Sequence, residues 1–266
     1  KGAGWGVVSI LPLSDGTNVL YDLVYDSVRV DEQGGTRVLT LTARDGTVTK
    51  LPVYDLPSIL AARGVASARF PLTRGKLPAF SDVSPRDWYA LWVDIAWNLG
   101  LTRGVGEGRF APEQTLTVAE ALQLAATVES RWRGDSFHRE STSGPRWYQP
   151  AVEYCLASGI LRRGTFTQED YGRPVTRLEA AELFAATSLA QSLPDLNSRS
   201  RVRASVPDLS PGDPGAEAAY TLYAKGILSG VDGGMTFRPG GTFTRAEAAA
   251  IVSRLARAEQ RLEFWN

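Results

Sequence analysis

From about residue 80 to residue 258, apolar positions recur every three or four residues, and one succession of features appears three times. It runs through an apolar stripe, a glycine with two hydrophobic residues, a polar loop, and a Thr-x-x-Glu that opens an Ala-rich stretch. Such a period marks amphipathic helices. First helices are expected over Trp88 to Leu99, Tyr148 to Ser158 and Ala216 to Lys225, ended by Gly100, Gly159 and Gly226. Second helices are expected over Ala119 to Val128, Ala180 to Leu189 and Ala246 to Leu255. Gly-to-Thr spacing is 17, 17 and 18, whereas the glycines themselves are 59 and 67 apart, so insertions fall between the repeats. A helix pair cannot bury its apolar face alone, and three in succession imply one shared core. The small side chains of the second helices suit a compact central bundle.

Before residue 78 the period is two. Alternating or β-branched runs at Trp5 to Leu11, Val19 to Tyr25, Thr36 to Ala43, Thr47 to Val53 and Ala66 to Leu72 read as strands, with Asp45-Gly46 as a hairpin turn. Leu56 to Ala62 reads as a short helix ended near Gly64. The expected fold class is α+β: a small N-terminal β domain over 1–78, then mainly α repeats over 79–142, 143–205 and 206–266. The Ser-, Arg- and Gly-rich stretches Glu129 to Arg146 and Gln191 to Val206 are expected to be exposed loops.

Composition narrows the function. The 266 residues are 43% hydrophobic and 22% charged, an ordinary globular mixture. Basic and acidic residues number 29 each, so no global field draws in a nucleic acid, and anion recognition has to be local. A lone cysteine and a lone histidine argue against a Cys/His metal site or a Cys-His catalytic pair, and no cofactor is expected. Cys155 lies four residues before Gly159, as Ala96 and Leu222 precede their glycines, so it reads as core packing. No apolar run approaches the roughly 18 residues that span a bilayer. The sequence starts at Lys1 and is expected to be a mature fragment whose export signal has been removed.

Thr117/Glu120, Thr176/Glu179 and Thr244/Glu247 form capping boxes, in which hydroxyl and carboxylate satisfy each other's backbone amides. Capping does not account for Arg177 and Arg245. At the first helical position a cation is unfavourable by a few tenths to about 1 kcal/mol. Two readings justify them: an anion site with the helix amides, or pairing with a carboxylate of the neighbouring repeat. The first repeat has Val118 there. Trp88 and Trp147 share one repeat position at the start of the first helices, where the third copy has Pro214; they are packing anchors or groove walls. Arg133-Gly134-Asp135 is too short a signal for adhesion. Asp82, Asp87 and Asp94 are close in sequence, but nothing fixes a pair of them across a substrate, so no enzyme is indicated.

Phe80-Ser81-Asp82-Val83, Gly226-Ile227-Leu228, Phe110-Ala111-Pro112, Phe237-Arg238-Pro239 and Phe243-Thr244-Arg245-Ala246-Glu247 together resemble the S-layer homology family over about Phe80 to Ala258. The resemblance implies a pseudo-threefold trimer of two-helix repeats, exported to the cell wall of a Gram-positive-type bacterium. There it would bind a secondary cell-wall polysaccharide carrying ketal-linked pyruvate. It further implies that Arg177 and Arg245 contact the anionic sugar in grooves between repeats. Trp88, Trp147, Asp82 and Asp208 would lie nearby, and with Thr176 and Thr244 would complete the ligand-binding set. Val118, Pro214 and the Ser143-Gly144 lead-in depart from the pattern, so two competent grooves at most are expected. The competing expectation is an assembly domain with degenerate repeats, whose partners are other surface-layer proteins.

Overall fold

The computed structural model describes residues 5–7, 23–33, 36–43, 46, 48–53, 70, 80–137, 144–257 and 260–265. The chain divides into two compact units, Lys1–Ala62 and Arg63–Asn266.

In the first unit, β1 (Trp5–Val7), β2 (Leu23–Gln33), β3 (Thr36–Ala43) and β4 (Val48–Val53) form an antiparallel sheet in the order β1-β2-β3-β4. Thr42 faces Val48 across the expected hairpin, and Gly46 adopts φ 83°, the left-handed conformation that glycine tolerates. The β2–β3 pairing runs from Gln33 opposite Thr36 back to Tyr25 opposite Ala43, with a register shift between Tyr25 and Ser27. β2 extends well past the expected Tyr25, because Ser27-Val28-Arg29-Val30-Asp31 continues the alternation. The expected Leu56 to Ala62 helix lies outside the described residues, as does all but Phe70 of the Ala66 to Leu72 strand.

The second unit is helical. Its first helices are α1 (Ala90–Asn98), α3 (Gln149–Ser158) and α7 (Ala216–Ala224); its second helices are α2 (Val118–Arg133), α4 (Arg177–Ala185) and α8 (Arg245–Ala256). All three capping boxes are formed, with both halves present. The glycine signal has a single cause: Gly100, Gly159 and Gly226 adopt φ 67°, 78° and 69°. That turn sends the next amide back to a carbonyl five residues earlier: Leu101 to Ala96 at 2.8 Å, Ile160 to Cys155 at 2.9 Å and Ile227 to Leu222 at 2.8 Å. The residue after each glycine is buried against its own helix, which is why a hydrophobic residue is needed there.

Two expectations fail locally. The second helix of the middle repeat breaks after Ala185, because the Thr187 hydroxyl bonds back to Phe184 O at 2.7 Å and caps a new short helix, α5 (Ser188–Ser192). The stretch Gln191 to Val206, expected to be a loop, contains α6 (Arg199–Ser205), started by the Ser198 cap and anchored by buried Val202. In the other expected loop, α2 continues to Arg133. Gly134 is its left-handed C-cap, and Asp135 is bonded to Ser130 and Tyr154, so the Arg-Gly-Asp tripeptide ends a helix.

Each second helix packs on the first helix of the following repeat: α2 on α3, α4 on α7, and α8 back on α1. Backbone bridges repeat that order. Thr117 pairs with Pro174, Thr176 with Thr242, and Thr244 with Thr115. The core between them holds Cys155, whose thiol is pushed up to about 12 by burial and then by Glu129, so at neutral pH it is an inert apolar group.

Candidate functional site

The start of each second helix is closed by the repeat that follows it. Arg177 N and Leu178 N donate to Gly241 O (2.8 Å) and Pro239 O (3.1 Å), while Arg245 N and Ala246 N donate to Gln114 O and Pro112 O, both at 2.9 Å. With the next amide held by the threonine cap, these helix tips keep few free donors. The accepting loops are the Phe-x-Pro elements. Their middle residues, Ala111 and Arg238, both sit at φ 57°, a left-handed conformation that needs external support in a non-glycine residue.

Asp82 and Asp208 supply that support. Asp82 accepts from Phe110 N (2.8 Å) and Ala111 N (2.7 Å), and Asp208 accepts from Phe237 N (2.8 Å) and Arg238 N (2.6 Å). Burial pushes the Asp82 carboxyl up, but the two amides and Arg109 outweigh it, and the net pKa lies below the ordinary value. Both oxygens of each carboxylate are thus committed to holding a loop. Thr176 and Thr244 are likewise committed to their capping boxes.

The two arginines part company at this point. Both thread under the next Phe-x-Pro loop: Arg177 Nε donates to Phe237 O at 2.6 Å and Arg245 Nε to Phe110 O at 2.8 Å. Arg177 is only 6% exposed and also pairs with Glu247, the capping glutamate of the next repeat. Of the two readings, Arg177 takes the second. Arg245 remains half-buried, stacks over Phe110 with 4.8 Å to the ring centroid, and gives its other bond to Arg103 O at 2.6 Å. No carboxylate among the described residues makes an ion pair with it. Burial lowers its pKa, an effect only partly offset by the more distant Glu120 and Asp82.

Arg245 lines a cleft of about 240 Å³ together with Trp147, Gly100 to Gly104, Glu120 and Gln123. Each repeat contributes: the tryptophan comes from the second, the arginine from the third and the capping glutamate from the first. A second cleft, of about 420 Å³, repeats the plan one step around, with Trp88, Arg177, Leu228 to Val231, Glu247 and Arg254. Trp88 is 59% exposed and Trp147 half-buried, and each stands edge-on to the following tyrosine. They are groove walls; the core positions one residue later belong to Tyr89 and Tyr148.

The third position in the cycle differs. Val118 is fully buried where the arginine would be, and Arg173 clamps the capping glutamate instead, with bonds of 2.6 and 2.9 Å to the two oxygens of Glu179. Gly215 stands where the other copies have tyrosine, so close to α4 that a Cβ there would meet Glu182 Oε1 at 2.8 Å. Burial and then Glu179 raise the Glu182 pKa. The local signal for Arg173 was its place six residues before Glu179; nothing local signalled Arg254.

Two segments, residues 79–122 and 207–249, match the family model of the S-layer homology domain. They fall within the first and third copies of the repeat. A 51-residue segment is 37% identical to a cell surface protein of Thermoanaerobacter kivui, an alignment covering 19% of this chain and only 7% of that protein. S-layer homology domains anchor surface proteins to the cell wall. No helix among the described residues is long and apolar enough to cross a membrane.

Proposed function

We propose that the helical repeats form a pseudo-threefold trimer, the middle copy being a diverged S-layer homology repeat. Its function is to anchor a surface protein outside the cell, on the wall of a Gram-positive-type bacterium. The small β domain of the first unit connects the anchor to the rest of that protein. The ligand is an anionic, pyruvylated secondary cell-wall polysaccharide, bound without catalysis in the grooves between repeats. The helix pairings and bridges, which close in one cyclic order, support the trimer.

The observation that carries the binding reading is Arg245. Among the described residues its guanidinium is bonded only to backbone carbonyls, and it lines a cleft that Trp147 also lines. A carboxylate on the sugar supplies the counter-charge and gains charge-assisted bonds, while the sugar's apolar face lies against the indole. Asp82, Asp208, Thr176, Thr244 and Arg177 shape the grooves rather than contact the glycan. Two weak grooves on one polymer chain reinforce each other by effective concentration.

Binding of the full chain to wall sacculi, before and after the non-peptidoglycan polymer is extracted, tests this reading. Loss of binding after extraction is expected. Persistent binding, or binding only to another surface protein, supports the assembly reading, which the internal neutralisation of Arg177 favours.

A further inference from the structure

The cleft beside Trp88 contains a cation that neither the repeat motif nor the cap explains. Arg254, on the last turn of α8, is 9% exposed and lines the same cleft as Trp88 and the Arg177–Glu247 pair. One guanidinium nitrogen donates to Ile227 O at 3.0 Å, and the plane lies over Trp92 with 4.7 Å to the ring centroid. Its Nε is buried and has no hydrogen-bond partner among the described residues. No carboxylate among the described residues pairs with it, and burial alone pulls its pKa down to about 10, so the group is still a cation at neutral pH.

A buried, unpaired cation is costly unless a counter-ion completes it. The lining of this cleft carries two arginines and one glutamate, and Glu247 is already taken by Arg177. One positive charge is therefore left over, and it lies on Arg254. The Arg245 cleft has the same balance, with Arg103, Arg245 and Glu120. Position by position along the second helices, Thr127 occupies the place of Arg254, so the two clefts carry their spare charge on different repeat positions.

We infer that Arg254 is the anion-receiving group of the Trp88 cleft, and that its occupant is a monosaccharide-sized monocarboxylate whose apolar face rests on Trp88. The volume of about 420 Å³ accommodates one such ring. The inference rests on the proposed glycan reading and moves the recognition of this groove away from Arg177, which becomes a structural tie.

The test is a nitrogen-15 NMR titration of the full chain, following the tryptophan indole and arginine Nε signals. The probe is methyl 4,6-O-(1-carboxyethylidene)-glucopyranoside, and the sugar lacking the ketal acid is the control. Expected are shifts of the Trp88 indole and the Arg254 Nε signals with the acid only. Arg254→Gln should weaken the Trp88 response by roughly tenfold or more, as removal of a charge-assisted bond does, while Trp147 responds as before. Should that variant fail to fold, the Arg254 Nε signal of the unaltered chain decides. A response at Trp147 with Trp88 and Arg254 silent overturns this inference and leaves the glycan reading standing, as does a Trp88 response undiminished in Arg254→Gln. Silence at both tryptophans overturns both.

Discussion

At Glu120 the capping carboxylate shares its cleft with Arg245, which among the described residues is held by carbonyls alone. At Glu179 the equivalent carboxylate is clamped by Arg173 and the neighbouring helix starts with Val118. Both regions have the same cap and the same place in the cycle of helices. The first keeps an unneutralised cation beside an aromatic wall. The second is balanced internally, with Glu182 adding further acid and Gly215 packed against it. All three copies keep the cap, and on the proposed reading binding draws on the charge that the first of these regions leaves unmatched.

The comparison breaks most visibly where the cation is structural. Replacing Arg177 by Ala strips Glu247 of its partner and removes the bond to Phe237 O, and is expected to cost about 3 kcal/mol in urea denaturation. Arg245→Gln should cost much less stability, because no carboxylate is left unpaired; similar losses for the two would contradict the distinction. Next in size is Asp82→Ala, which releases the left-handed Ala111 and should cost about 2 kcal/mol by the same measurement. Thr117→Ala removes one cap hydroxyl and should cost about 1 kcal/mol.

Acid provides a smaller, graded test. Asp82 and Glu179 have folded pKa values below their ordinary values of 3.8 and 4.5. For Glu179 burial works upward, but Arg173 and the Thr176 cap outweigh it. The unfolded chain binds these protons first, so the stabilisation they give is complete above about pH 4.5 and falls away as pH drops through the folded values. Thermal midpoints measured from pH 6 to pH 2.5 should decline below pH 4.5; a flat profile would remove both carboxylates from the account.

The sequence made the local elements legible because their causes are local. Capping boxes, left-handed glycines and the Gly46 hairpin each depend on residues within about five positions, and all are found where expected. What it hid is long-range. Arg177 meets Glu247 across 70 residues, and Arg254 becomes a groove residue only because α8 closes back on α1. α6 was obscured by its Ser- and Arg-rich surface, with Val202 as its only buried residue. The exposure of Trp88 depended on whether the stripe of α1 ran through Trp88 or through Tyr89, a rotation that periodicity leaves open.

The most direct measurement is calorimetric titration of pyruvylated wall-polymer fragments into the unaltered chain and into Arg245→Gln, with the thermal midpoint of each recorded alongside. The account predicts a midpoint nearly unchanged by the substitution and affinity reduced by roughly tenfold or more. Equal affinity for the two chains, or equal binding of polymer stripped of its pyruvyl acid, would contradict it.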